Sequence, residues 1–114
     1  MLIFDIEIYR NYFLASFMND KGQVCHIEMR GDGKLEVSKL AKLMRDNITL
    51  GFNSNSYDLY MVAAALENKS CAELKALSNE IIMSNLPAWK VAKVTIPRTW
   101  DTIDIIDVLQ GQAS

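Results

Sequence analysis

The sequence predicts an α/β domain built on a five-stranded mixed sheet. Three observations carry this. The N-terminal thirty residues hold three apolar, β-branched stretches joined by short polar turns. Beyond them, stretches with helical spacing alternate with short apolar ones. The resulting order, β-β-β-α-β-α-(α)-β, is a meander followed by crossover units.

Leu2 to Ile8 forms the first strand. Asp5 and Glu7 interrupt its apolar run and share one face, since side chains two apart on a strand point the same way. The link Tyr9-Arg10-Asn11 is very short, so Tyr12 to Met18 returns antiparallel. Asn19-Asp20-Lys21-Gly22 is a turn cluster and leads into a third strand, Gln23 to Met29. After a Gly31-Asp32-Gly33 loop, Leu35, Leu40, Leu43 and Met44 predict a helix from about 36 to 47. Ser38 is a candidate cap, and Gly33-Lys34 a candidate earlier start. Ile48 to Phe52 is a brief apolar strand, followed by the polar loop Asn53-Ser54-Asn55-Ser56. Tyr57 to Leu66, rich in Met and Ala, reads as a helix. Residues 70–86 hold one or two short helices with Ser70 as cap, and Leu86-Pro87-Ala88-Trp89 breaks the pattern. Thr102 to Val108 alternates as a last strand, leaving a tail from Leu109 to Ser114.

Right-handed crossovers put the fourth strand beside the first and the fifth outside it, giving the order 3-2-1-4-5 with both crossover helices on one face. The second strand is apolar on both sides: Tyr12, Leu14 and Met18 on one, Phe13, Ala15 and Phe17 on the other. Two apolar faces ask for two covers. Either residues 70–100 cross the second face, or an apolar patch stays open and favours a protein partner or a homodimer.

Composition agrees with one globular domain over 1–114. The chain has 114 residues, 50% hydrophobic and 23% charged, with five Gly and two Pro, which excludes a disordered or linker-rich chain. The net charge of −2 gives no bulk attraction to nucleic acid, so any phosphate contact has to be local or carried by bound cations. Cys25 and Cys71 form no CxxC pair and read as two free thiols, with one disulfide between them as the alternative. The apolar start Met1-Leu2-Ile3-Phe4 is too short for a signal peptide, and no membrane-spanning run follows. A soluble, cytoplasmic protein with no membrane partner is expected.

The carboxylates carry the chemistry. Acids on a central strand are costly unless they meet a cation or a donor. Asp5 and Glu7 are therefore either a solvated acidic face or ligands. Asp58 falls in the first turn of the predicted second helix, where an acid is favoured by the helix dipole. It is also placed to face the end of the first strand, because the loop before it leaves the neighbouring fourth strand. Oxygen donors of this kind suit hard divalent ions, and two such ions about 4 Å apart can clamp an in-line phosphoryl displacement.

Phe4-Asp5-Ile6-Glu7 resembles the first motif of the DnaQ-like, or DEDD, 3′–5′ exonucleases. Gly51-x-Asn53-x-x-x-Tyr57-Asp58-Leu59 resembles their second, and Asp101-Thr102-Ile103-Asp104-Ile105-Ile106 a strand these domains carry after it. The exonuclease domains of bacteriophage DNA polymerases are the most similar members. The resemblance implies an RNase H-like fold, an Mg²⁺ or Mn²⁺ two-metal site, and proofreading action on the 3′ end of single-stranded DNA. It implies that Asp5 bridges both ions, that Glu7 binds one and helps position the attacking water, and that Asp58 holds the second. Asn53 would orient the loop or touch the substrate strand. Tyr57 would pack in the core or stack on a base. Tyr9 and Arg10, with Asn11 and Tyr12, would meet the primer end.

The family's fourth carboxylate comes from a C-terminal helix with a Tyr or His four residues before the Asp. The acids after residue 90 are Asp101, Asp104 and Asp107, preceded at that spacing by Pro97, Trp100 and Ile103. The sole histidine, His26, reads as a sheet residue. The resemblance therefore implies an exonuclease core without its last helix, for which three functions are expected. One is the N-terminal part of a metal-dependent 3′–5′ exonuclease. The second is an inactive exonuclease-derived protein that binds and inhibits a host nuclease, a defence complex or a polymerase. The third is a structural subunit that completes a polymerase.

Overall fold

A computed structural model describes residues 1–31 and 33–113; Asp32 in the predicted Gly31–Gly33 loop and Ser114 of the predicted tail lie outside the described residues. Five strands form one mixed sheet, β1 (Leu2–Tyr9), β2 (Tyr12–Met18), β3 (Val24–Arg30), β4 (Ile48–Gly51) and β5 (Asp101–Asp104), in the order β3-β2-β1-β4-β5. β1, β2 and β3 are antiparallel neighbours, while β4 runs parallel to β1 and β5 parallel to β4. This is the predicted order. The Asn19 side chain accepts the N–H groups of Lys21 and Gln23, and Gly22 takes a φ of +79°, which together close the β2–β3 hairpin.

The helices are α1 (Val37–Asp46), α2 (Asp58–Ala65), α3 (Cys71–Met83), α4 (Ala88–Val91) and α5 (Ile105–Ala113). The first three cover one face of the sheet. Burial alternates along β1: Ile6 is 8% exposed and its neighbours Asp5 and Glu7 are exposed. Phe4, Ile6, Ile8, Phe13, Phe17 and Ile27 form the sheet side of the core, and Leu40, Met44, Met61, Val62 and Leu74 the helix side. Leu40 and Met44 are one helical turn apart, which is how α1 aims one stripe at the sheet. α2 is the most enclosed helix, with seven of its eight residues buried, and its alanines let it approach closely. No helix among the described residues is long and apolar enough to cross a membrane.

Two expectations are corrected. The predicted last strand Thr102 to Val108 is a four-residue strand that turns into α5 at Ile105. β4 ends at Gly51, paired with Asp104, so a longer β5 would have no neighbour. The Asp104 carboxylate accepts the Ile106 N–H at 3.1 Å, the bond of an acid opening a helix. Ser38 does not cap α1; that position is Glu36, and Ser38 lies inside the first turn. The expected break at Leu86-Pro87-Ala88-Trp89 is present: α3 ends at Met83, and Pro87 then caps the short α4. Ser70 does cap α3, in a reciprocal box with Glu73.

Residues 70–100 do not cross the second face. Cys71 and Leu74 belong to the core under α2, and Val94, Ile96 and Trp100 pack against that same core. The face bearing Ile3, Asp5, Glu7 and Tyr9 stays open among the described residues, with Ile3 48% exposed.

Candidate functional site

The site lies where β4 gives way to α2. In the β1–β4 register Ile3 stands beside Leu50, which sets Asp5 level with Phe52, the first residue past β4. The loop from that point to α2 is built around one carboxylate. Asp104, only 4% exposed, accepts the N–H groups of Asn53 and Asn55, each at 2.8 Å, one on each oxygen. Asn53 adopts the left-handed backbone region (φ 58°), which asparagine tolerates better than most residues. A single 3₁₀ turn, Ser54–Ser56, follows, and the Asn55 side-chain amide donates to Asp107 at 2.5 Å.

This folding delivers Asp58 to the first turn of α2 with only 8% of its surface exposed. Burial raises its pKa, and the Asp5 carboxylate and then that of Asp104 raise it further, to about 7. A cation beside Asp5 and Asp58 would offset that repulsion. Tyr57 precedes Asp58. Its hydroxyl shares a 2.6 Å hydrogen bond with Ser78 of α3, and its ring packs against the core. Burial pushes its pKa up, with a smaller contribution from Asp58, against the lowering effect of the Ser78 bond.

Beside Asp58 opens a cleft of about 700 Å³. Asn53, Asn55, Tyr57 and Asp58 line it, together with Ile82, Leu86 and Trp89. Phe52 and Trp89 expose large parts of their rings at its mouth, and the Lys90 ammonium lies 5.3 Å from the Trp89 ring centre. The cleft thus joins apolar side chains to amide groups and one carboxylate, that of Asp58.

Of the residues singled out in the sequence, Asn53, Tyr57 and Asp58 meet at this cleft, and Asp5 acts on Asp58 from the neighbouring strand. Glu7 is not among the charges that act on Asp58; it shares the open face with Asp5 and is paired across to Leu14. Tyr9 and Arg10 sit at the β1–β2 turn, outside the cleft lining, with the Tyr9 and Tyr12 rings stacked at 6.4 Å. His26 lies in β3, as read, and its Nδ1 shares a hydrogen bond with Ser16 Oγ.

For a hard divalent ion the donors fit in kind, being carboxylate oxygens on rigid elements. Among the described residues, no three His, Cys, Asp or Glu side chains stand together closely enough to hold a metal ion. Asp104 and Asp107 add no free donor set, because Asp104 is engaged by backbone N–H groups and Asp107 by Asn55. The structural role of Asp104 and the apolar wall around Trp89 were not read from the sequence. The alternation around Asp104 hid its capping role, and nothing in the spacing brings residues 81–89 to the Asp58 loop. Comparison with protein-family models, with curated proteins and with solved structures finds no match.

Proposed function

We propose that this chain is the N-terminal part of a phage-type, metal-dependent 3′–5′ DNA exonuclease domain of the proofreading kind. The observation that carries the reading is the pair Asp5 and Asp58. One acid lies on the central strand, and the other is buried at the start of α2 beside an open cleft, where the first carboxylate raises its pKa. Asp5 and Asp58 would hold Mg²⁺ or Mn²⁺ together with water, and Glu7, on the same strand face as Asp5, would help position the attacking water. The ion, when bound, would polarise the scissile phosphate and lower the pKa of an attacking water. Asn53 and Tyr57 would orient the terminal nucleotide from the cleft wall, and Tyr9 and Arg10 would contact the strand behind it.

The test has two arms. Mn²⁺ binding to the chain is measured directly by paramagnetic resonance, with Asp5→Ala expected to weaken it at least about tenfold. Release of nucleotides from a 3′-labelled single strand is then measured against the same variant. Activity no higher than that of Asp5→Ala rules out catalysis by this chain.

A second reading is favoured by the open sheet face: an exonuclease-derived protein that inhibits a host nuclease, defence complex or polymerase by occupying it. It expects a stoichiometric complex with such a partner that survives Asp5→Ala/Glu7→Ala. Loss of the complex in that variant counts against it.

A further inference from the structure

β3 ends one side of the sheet, and no described strand pairs with its outer edge. The bonds at the two ends of the β2–β3 hairpin fix which backbone groups point out. Asn19 N–H donates to Gln23 O, and Gly31 N–H donates to Asn11 O. These are hydrogen-bonded pairs of the antiparallel type, and such pairs alternate along the register. The register between them therefore makes Phe17–Cys25, Ala15–Ile27 and Phe13–Met29 hydrogen-bonded pairs as well. It follows that the backbone groups of Val24, His26, Glu28 and Arg30 point away from β2. The Arg30 carbonyl is taken by Gly33 N–H at 2.6 Å. The side chains of these same four residues are exposed, Val24 at 54%.

The edge is self-complementary. An antiparallel copy related by a two-fold axis through Ile27 sets His26 opposite Glu28, and Glu28 opposite His26. Both are residues whose backbone groups face out, so the two oppositions are also hydrogen-bonded pairs, with four backbone bonds between them. Ser16 Oγ shares a 3.0 Å hydrogen bond with His26 Nδ1, so Nε2 is the ring nitrogen left to meet the facing Glu28, whose Oε2 already accepts from Tyr12 and Arg30 and whose other oxygen is open. Centring the axis on Cys25 or Met29 instead would leave most of the strand unpaired; the axis at Ile27 uses all seven residues. The opposite edge, β5, offers four.

We propose that β3 is a dimerisation edge, on which a second copy of this chain pairs antiparallel about Ile27 to make one continuous ten-stranded sheet. A single strand pair is smaller than a standard interface, so the association is weak, in the micromolar range or above. Its symmetry is isologous: each contact occurs twice.

Sedimentation equilibrium of the whole chain, carried up to about 1 mM, tests this without DNA or metal, so its result is separate from that of the exonuclease reading. The expected result is a monomer–dimer equilibrium. His26→Glu sets Glu against Glu twice and should weaken the dimer at least about tenfold, while His26→Glu/Glu28→Lys sets Glu against Lys twice and should recover it. In the dimer, the amides of His26 and Glu28 should exchange more slowly as concentration rises. A monomer at every concentration, a dimer indifferent to His26→Glu, or a double variant as weak as the single one overturns the proposal.

Discussion

Asp58 is the residue the fold holds at a cost. Its carboxyl has an ordinary pKa of 3.8 when the chain is unfolded and about 7 when it is folded, from burial first and the neighbouring Asp5 and Asp104 after it. A raised acid binds more protons folded than unfolded. Its contribution to stability is therefore fully present below pH 4 and is lost as the pH climbs through 7. Replacing it with Asn removes that dependence. Asp58→Asn should gain about 1–3 kcal/mol over the wild type at pH 8, gain less at pH 5, and flatten the profile between; urea unfolding at the two pH values measures this. Mg²⁺ should raise the melting temperature of the wild type at pH 8 and leave that of Asp58→Asn unchanged. Asp104 has the opposite character, since its charge is matched by donors. Asp104→Ala leaves three backbone N–H groups without their acceptor and should cost about 2–5 kcal/mol in the same titration. A loss below about 0.5 kcal/mol would show that water replaces the carboxylate there.

At the scale of the element, legibility followed local chemistry. The alternation of Phe4, Ile6 and Ile8 with Asp5 and Glu7 marked β1 and its two faces, because a strand's period is fixed by its backbone. Ser70 marked the start of α3, because a hydroxyl cap acts within three residues. Ser70→Ala should cost about 1 kcal/mol of stability by removing the acceptor for Glu73 N–H. The boundary at Asp104 was illegible for the converse reason. Thr102 to Val108 alternates as a strand should, and what stops it is the length of β4, an element fifty residues earlier in the chain. Gly51 ends β4 where space is shortest: a Cβ there would lie 2.7 Å from the Ser54 Cβ and 2.8 Å from the Phe4 ring. Gly51→Ala must displace the loop or the ring, so it should cost about 1–3 kcal/mol and loosen the Asn53–Ser56 segment, seen as faster amide exchange at Asn55.

At the scale of the whole molecule, the sheet is covered on one side only among the described residues, and this asymmetry decides how its strands tolerate change. The open face is laid out in rows by the register: Ile3, Met18 and Val24; Asp5, Ser16 and His26; Glu7, Leu14 and Glu28; Tyr9, Tyr12 and Arg30. The apolar members on β2 were visible in the sequence, and they posed the choice between a second cover and an exposed face. What resolves it is tertiary, since Cys71 and Leu74 carry α3 onto the side already occupied by α2. Ile3 and Ile6 are the same residue type on the same strand, yet Ile3 is 48% exposed and Ile6 is 8% exposed. Ile6→Ala removes packed methylenes and leaves a void, at about 2–4 kcal/mol. Ile3→Ala removes surface that water already reaches, at under about 1 kcal/mol, and Ile3→Lys should be similarly mild because its stem can lie along Leu50 and Met18 while the ammonium meets solvent. Urea midpoints of the three variants against the wild type give the comparison. Equal losses at Ile3 and Ile6 would mean that the face carrying Asp5 and Glu7 is covered in solution, and the candidate acidic site would then be closed to substrate from that side.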